Sequence, residues 1–249
     1  MTGILLRLAG PLQSWGERSA FTDRDTQMFP TRSGLIGMVA SACGQRREDS
    51  PAVFSPLQFT VRIDRPGTVI TDFHTIGGGY AQSHTPLTAE GKRRGAGKGT
   101  IVTRRRYLSD ATFTVAIEGP GDLLDQVSTA LKNPRWQPYL GRRSCPPEFP
   151  LVIRTHTQDP VGDLRNKVPL LVHRRPPTDR GVDFVADGPA EDGAHTELFD
   201  VPESFDSARR RYSGRLVNHC RHTDLPKELW HTKTSDFQQA LYEYMQEPA

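Results

Sequence analysis

Two hydrophobic periods alternate along the first 150 residues, and their order leaves few folds open. Residues 4–8 (ILLRL) form a short apolar run closed by Ala9-Gly10-Pro11, the pattern of a buried central strand. Residues 34–44 (GLIGMVASACG) place Leu35, Val39 and Ala42 on one helical face. Thr31 or Ser33 suits the N-cap of that helix and Gly44 its C′ position. Gly34 and Gly37 cost helix propensity, so the helix is expected to pack closely on a sheet. Residues 59–64 (FTVRID) alternate at period two and end at the turn Arg65-Pro66-Gly67, and residues 68–76 (TVITDFHTI) read as a further strand. After a glycine-rich stretch over 77–100, residues 100–107 are again extended and residues 111–117 (ATFTVAI) alternate. Leu123, Leu124, Val127, Ala130 and Leu131 share the face of a second helix that Asn133-Pro134 stops, and residues 151–154 are extended.

The resulting β-α-β-β-α-β order, with an insertion, is that of a ferredoxin-like or RNA-recognition-motif (RRM-like) sheet. The fold class expected is therefore α+β. An RRM-like palm covers 1–76 and 108–160, a basic insertion covers 77–107, and a less regular C-terminal extension packed on the palm covers 161–249. Within that extension residues 170–172 suit a short strand, residues 178–206 read as loop, and Ser235 with Gln238 has capping-box spacing before a helix with Phe237, Leu241 and Tyr244 on its face.

Composition removes several alternatives. A chain of 249 residues can bury a core without covalent staples. No window approaches 18 apolar residues, so no membrane helix is expected, and the N-terminus lacks the basic and apolar regions of a signal peptide. Three dispersed cysteines, Cys43, Cys145 and Cys220, suit reduced thiols in a cytoplasmic protein.

The formal net charge of +3 conceals two opposed segments. Residues 91–109 carry Lys92, Arg93, Arg94, Lys98, Arg104, Arg105 and Arg106 with no acid, whereas residues 178–206 carry nine acids and the single base Arg180. Glycines interleaved with the cations let a backbone approach phosphates, and the cations neutralise them with release of counterions. Tyr107 follows the arginine triplet and suits stacking on an unpaired base. A solvated loop would not need to exclude acids, which favours nucleic acid as the partner. Arg32 beside Thr31 and Ser33 at a helix N-terminus serves equally as an anion site or as a surface residue next to an N-cap. Residues 139–147 (YLGRRSCPP) bring Tyr139, Arg142 and Arg143 together, fitting either phosphate contact with stacking or a turn with surface arginines.

Catalytic and metal motifs fail on inspection. The run at 91–99 breaks the G-x-x-x-x-G-K-[ST] phosphate loop twice, because Gly99 follows Lys98 and Lys92 stands where the first glycine belongs. The glycines at 95–99 open no helix, which excludes a dinucleotide fingerprint. His219, Cys220 and His222 lack the second ligand pair of a zinc site. His74, Tyr107 and the basic loop are candidates for metal-free RNA cleavage, with no spacing that singles out a catalytic pair.

Five blocks carry a resemblance: residues 10–16 (GPLQSWG), 29–37 (FPTRSGLIG), 72–75 (DFHT), 106–111 (RYLSDA) and 139–146 (YLGRRSCP). In this order over 1–150 they resemble the CasD, or Cas five-e, family of the RAMP superfamily, subunits of the type I-E CRISPR Cascade complex. The resemblance implies an RRM-like palm with an inserted β-hairpin thumb. It implies binding of the 5′ handle of the CRISPR RNA, at the foot of the Cascade backbone. Contacts with a CasC-type backbone subunit and a CasA-type large subunit follow from it, with target DNA met only through the complex. No cofactor, metal or catalytic residue is expected, because a separate type I-E subunit cuts the precursor. The related type I-C member is an endoribonuclease, so processing of repeat RNA is the alternative. A standalone single-strand-binding module is a weaker third. On this reading phosphates meet Arg32, Ser33, Arg142, Arg143, the Lys92–Arg94 and Lys98 cluster and Arg104–Arg106. Trp15, Tyr107 and Tyr139 are the stacking candidates, Trp15 suiting a core role as well.

Overall fold

The computed structural model describes residues 2–17, 22–88, 91–97, 99–172, 181–188, 195–206 and 210–247. In chain order its elements are β1 (Gly3–Ala9), β2 (Leu12–Gln13), β3 (Asp23–Arg24), α1 (Arg32–Ala42), β4 (Gln58–Arg65), β5 (Thr68–Ile76), β6 (Ile101–Ser109), β7 (Thr112–Glu118) and α2 (Gly121–Lys132). There follow β8 (Val152–Thr157), α3 (Pro160–Asn166), β9 (Leu170–Leu171), β10 (Val182–Asp187), β11 (Thr196–Ser204), β12 (Arg211–His222), β13 (Trp230–His231) and α4 (Thr234–Gln246).

The main sheet has seven strands in the order β11-β12-β10-β4-β7-β1-β8. Its four palm strands, β4-β7-β1-β8, are antiparallel throughout and follow the ferredoxin-like order expected from the sequence. Period two sends alternate residues of each strand to opposite faces. Ile4, Leu6 and Leu8 of β1 therefore join Val115, Leu35, Val39 and Val127 under α1 and α2. Leu5 and Ala116 face the other way and meet Leu164, Phe184, Phe237 and Leu241 under α3 and α4. Thr31 caps α1, its hydroxyl accepting from the Gly34 amide, and Gly44 takes a positive φ of 78° just past the helix, as its C′ position requires.

An RRM binds RNA on the sheet face opposite its two helices. In this chain α3 and α4 cover that face. A fully buried Arg62 on β4 fastens the cover, donating to the carbonyls of Leu164 (2.5 Å), Val168 (2.8 Å) and Pro169 (3.1 Å) and pairing with Asp64. A second polar knot joins β8, α3 and α4, where Thr157 and Tyr244 both donate to the Asp163 carboxylate, at 2.6 and 2.7 Å.

The sequence reading needs three corrections. Residues 178–206 are not loop throughout, since β10 and β11 lie within them and widen the sheet beyond β4; residues 178–180 and 189–194 lie outside the described residues. The inserted hairpin is β5 paired with β6 in continuous register from Thr68↔Ser109 to Ile76↔Ile101, so its stem begins before residue 77. Ser235 is inside α4 and donates to Asp236 instead of capping the helix. A short helix, α3, is additional; Asp159 caps it and Pro160 opens it.

Candidate nucleic-acid interface

A groove of about 1500 Å³ runs along the exposed side of α1. Its floor is the helix face carrying Gly34, Gly37 and Ser41, whose small side chains leave it shallow-walled and open. One wall is the 136–146 loop after α2, with Trp136, Tyr139, Arg142 and Arg143. The other is formed by Phe205 at the end of β11 and by Arg210 and Tyr212 at the start of β12. Arg24 of β3 and Arg105 of β6 close one end, and Arg46 and Arg47, just beyond α1, line it as well. Seven arginines and two glutamates border this space, an electrostatic footprint suited to a polyanion. Arg24, Arg46, Arg47, Arg143 and Arg210 are exposed, and none pairs with an acid among the described residues.

Local geometry explains how the loop wall is held. Gly141 has φ of 81°, and a Cβ there would lie 1.7 Å from the Ser14 carbonyl oxygen, so only glycine lets the loop lie against β2. Trp15 packs under it, fully buried, its Nε1 donating to Gln13 (3.0 Å) and its ring touching α1 at Gly34. Arg142 lies 4.6 Å above the Tyr107 ring and donates to the carbonyls of Arg24 and Asp25. These contacts aim the loop and leave Arg143 and the edge of Tyr139 toward solvent.

The groove thus gathers Ser33, Arg105, Tyr139, Arg142 and Arg143 of the residues expected from the sequence, with Trp15 in its floor. Tyr107 and Trp15 are buried and offer no free ring face, which corrects their reading as stacking residues. Arg32 is corrected too. Its guanidinium turns inward to Asp187 (2.5 Å) and to the carbonyls of Ser55 (2.9 Å) and Leu57 (2.8 Å). Asp187 also pairs with Arg215, which in turn holds Asp200 (2.6 Å), and Asp200 accepts from the Arg32 amide (2.7 Å). Burial lowers the Arg32 guanidinium and raises the Asp187 carboxyl from their ordinary values, with the opposite charges resisting both shifts. Arg104 and Arg106 lie on the hairpin face opposite Arg105, away from the groove. Lys92, Arg93 and Arg94 lie in the β5–β6 connection, where Arg93 donates to Thr85 (2.5 Å); Lys98 lies outside the described residues.

Arg24, Arg46, Arg47, Trp136, Phe205, Arg210 and Tyr212 were missed by sequence reasoning. The Arg46-Arg47 pair after the Gly44 stop and the abrupt basic run at 209–211 were the available signals. The other candidate chemistry does not assemble. His74 sits opposite Thr103 on the hairpin, four residues along β6 from the buried Tyr107, or about 13 Å at 3.3 Å per residue. His74 pairs instead with Asp72 at 3.5 Å. Cys220 touches His222 at 3.4 Å while His219 meets the Phe29 ring, and burial pushes the Cys220 thiol up. Among the described residues no helix is long and apolar enough to cross a membrane.

The chain and its fold have known relatives. The profile of the family described as CRISPR-associated protein (Cas_Cas5) matches residues 3–218. The CRISPR system Cascade subunit CasD of Escherichia coli (strain K12) is 39% identical over 175 residues, 67% of this chain and 77% of that protein. A chain from the structure of a CRISPR RNA-guided surveillance complex is 49% identical, with a TM-score of 0.86 over 98% of this chain and 100% of that one. A further crystal structure of a Cas protein is 31% identical, with a TM-score of 0.63 over 93% of this chain and 98% of that one. With the profile spanning nearly all of the palm, the hairpin and β10–β12, the chain belongs to the CRISPR-associated Cas_Cas5 family.

Proposed function

We propose that this protein is a non-catalytic RNA-binding subunit of a type I-E Cascade surveillance complex, and that the groove along α1 holds the 5′ handle of the CRISPR RNA. The observation that carries this reading is the groove itself, in which seven arginines stand against two glutamates around a bare helix face, with aromatic rings on both walls. Single-stranded RNA is held by backbone charge and by stacking of splayed bases, and this groove offers both. The relative named CasD and the chain from an RNA-guided surveillance complex support the same assignment. Arg46, Arg47, Arg142, Arg143 and Arg210 contact phosphates, and Arg104, Arg106 and the Lys92–Arg94 cluster extend the basic surface along the hairpin. Backbone and large subunits of the complex are the protein partners, and the cytoplasm is the compartment, in keeping with three free thiols. The separation of His74 from the buried Tyr107 supports binding without cleavage.

The test is binding of the full chain to labelled repeat RNA. Preference for handle-bearing RNA over an unrelated single strand, with the RNA recovered intact, is the expected result. Indifference to the handle would replace the assignment with a general single-strand binder, and specific cuts lost in His74→Ala would replace it with a nuclease.

A further inference from the structure

The wall built by β11 and β12 differs in kind from the rest of the groove. It comes from the C-terminal extension, and it presents two aromatic rings with a single cation. Phe205 leaves β11 so that its ring reaches the bare face of α1, 3.8 Å from where a Cβ would stand on Gly37. Tyr212 enters β12 opposite Pro202 and is 38% exposed, which is high for a ring beside a groove floor. Arg210, two residues before it, is exposed with no partner among the described residues. The wall is also held rigidly: Asp200 of β11 accepts from the first amide of α1 and binds Arg215 of β12 through both carboxylate oxygens.

We propose that Phe205 and Tyr212 form a base-stacking subsite, in which one unpaired base of the bound RNA lies over α1 at Gly37 and Arg210 takes the adjacent phosphate. This rests on the RNA-binding reading and adds a specific occupant to one part of the groove. A base fits better than a phosphate here. The ring faces offer no hydrogen-bond donor to a phosphate, the Tyr212 hydroxyl being the one donor between the two rings, while every base has a face that stacks on them. The missing side chain at Gly37 leaves room for a flat group between Phe205 and the helix, whereas the space at Gly34 is taken by the Trp15 ring. The excess of arginines around the groove supplies the charge complementarity that brings a polyanion to it.

The experiment uses the full chain and a 5′-handle RNA oligonucleotide carrying 2-aminopurine at each position in turn. Stacking quenches this fluorophore. One position is expected to be strongly quenched on binding. Tyr212→Ala and Phe205→Leu should each weaken that quench, and Tyr212→Phe should keep it. Tyr212→Ala should reduce affinity about fivefold to 150-fold, the range for losing one base–aromatic stack, with the salt dependence unchanged. Phe205→Leu preserves the apolar contact with α1, so its effect reports stacking and not folding. No quenched position in the wild type, or a quench that survives either variant, overturns the subsite. If Arg46→Ala/Arg47→Ala lowers affinity and salt slope while Tyr212→Ala binds as wild type, the RNA-binding reading stands and the subsite fails. If neither the arginine nor the aromatic variants alter RNA binding, both fail.

Discussion

Helix α1 has an arginine at its first residue and a pair just beyond its last turn, and its two ends use them in opposite ways. At the N-terminus, where the helix dipole disfavours a cation and the first turn carries no acid, Arg32 is buried. It is tolerated because β10 and β11 bring Asp187 and Asp200 to the same place. Beyond the C-terminus, the Arg46 and Arg47 side chains pair with no acid among the described residues and stand exposed at the groove. The residue type is the same, and the position of the acids decides whether it builds the protein or faces the open groove.

Breaking the buried end has the largest expected effect. Arg32→Ala leaves the half-buried Asp187 with Arg215 but one partner fewer, and strands the Ser55 and Leu57 carbonyls; it should lower stability by about 1–3 kcal/mol in chemical denaturation. A loss within 0.5 kcal/mol would show that the network is not a fastening.

The buried acids give the contrast a pH form. Burial pushes the Asp163 carboxyl up, but hydrogen bonds from Lys167, Thr157 and Tyr244 outweigh it and hold the group below its ordinary value. A folded value below the unfolded one contributes stability that is present above the ordinary carboxylate value, near 3.8, and is lost as pH falls through the lower folded value. Melting temperature should therefore drop more steeply between pH 5 and about pH 2 in the wild type than in Asp163→Asn. Parallel profiles would remove Asp163 from the account.

At the exposed end, Arg46→Ala/Arg47→Ala should leave stability within about 0.5 kcal/mol. The same variant should flatten the salt slope of RNA binding by roughly 1.4, at about 0.7 per single-strand phosphate contact. The smallest effect is expected from Arg106→Ala, on the hairpin face away from the groove, with a slope change below that of one contact. If Arg106→Ala instead matches the Arg46/Arg47 variant, the hairpin and not the groove carries the RNA.

The palm was legible because its strands are buried on one face or both and its helices start and stop at ordinary signals. Thr31, Gly44 and Asn133-Pro134 did what their chemistry demands. β10 and β11 were not legible because acids interrupt their apolar pattern, and two of these, Asp187 and Asp200, point inward to Arg32 and Arg215 while Asp183, Glu197 and Glu203 are exposed. A buried acid and a solvated one look identical in a sequence. The site was half legible for a related reason. Arg142 and Arg143 sit in a short motif with Tyr139, whereas Arg46, Arg47, Arg210 and Tyr212 gain meaning only when β12 returns to α1. The basic run at 91–109 points partly away from the groove, because alternate residues of β6 face opposite sides.

Arg62 has a consequence for how the chain is made. It emerges from the ribosome with β4, yet its last carbonyl acceptor, Pro169, lies 107 residues further on. At about 5–20 residues per second, translation leaves that cation with Asp64 but without its full set of carbonyl acceptors for roughly 5–20 s. The cover over Arg62 therefore forms only once the third helix has been synthesised. A chain cut after the palm would carry all four ferredoxin-like strands and leave Arg62 with Asp64 but with none of its three carbonyl acceptors.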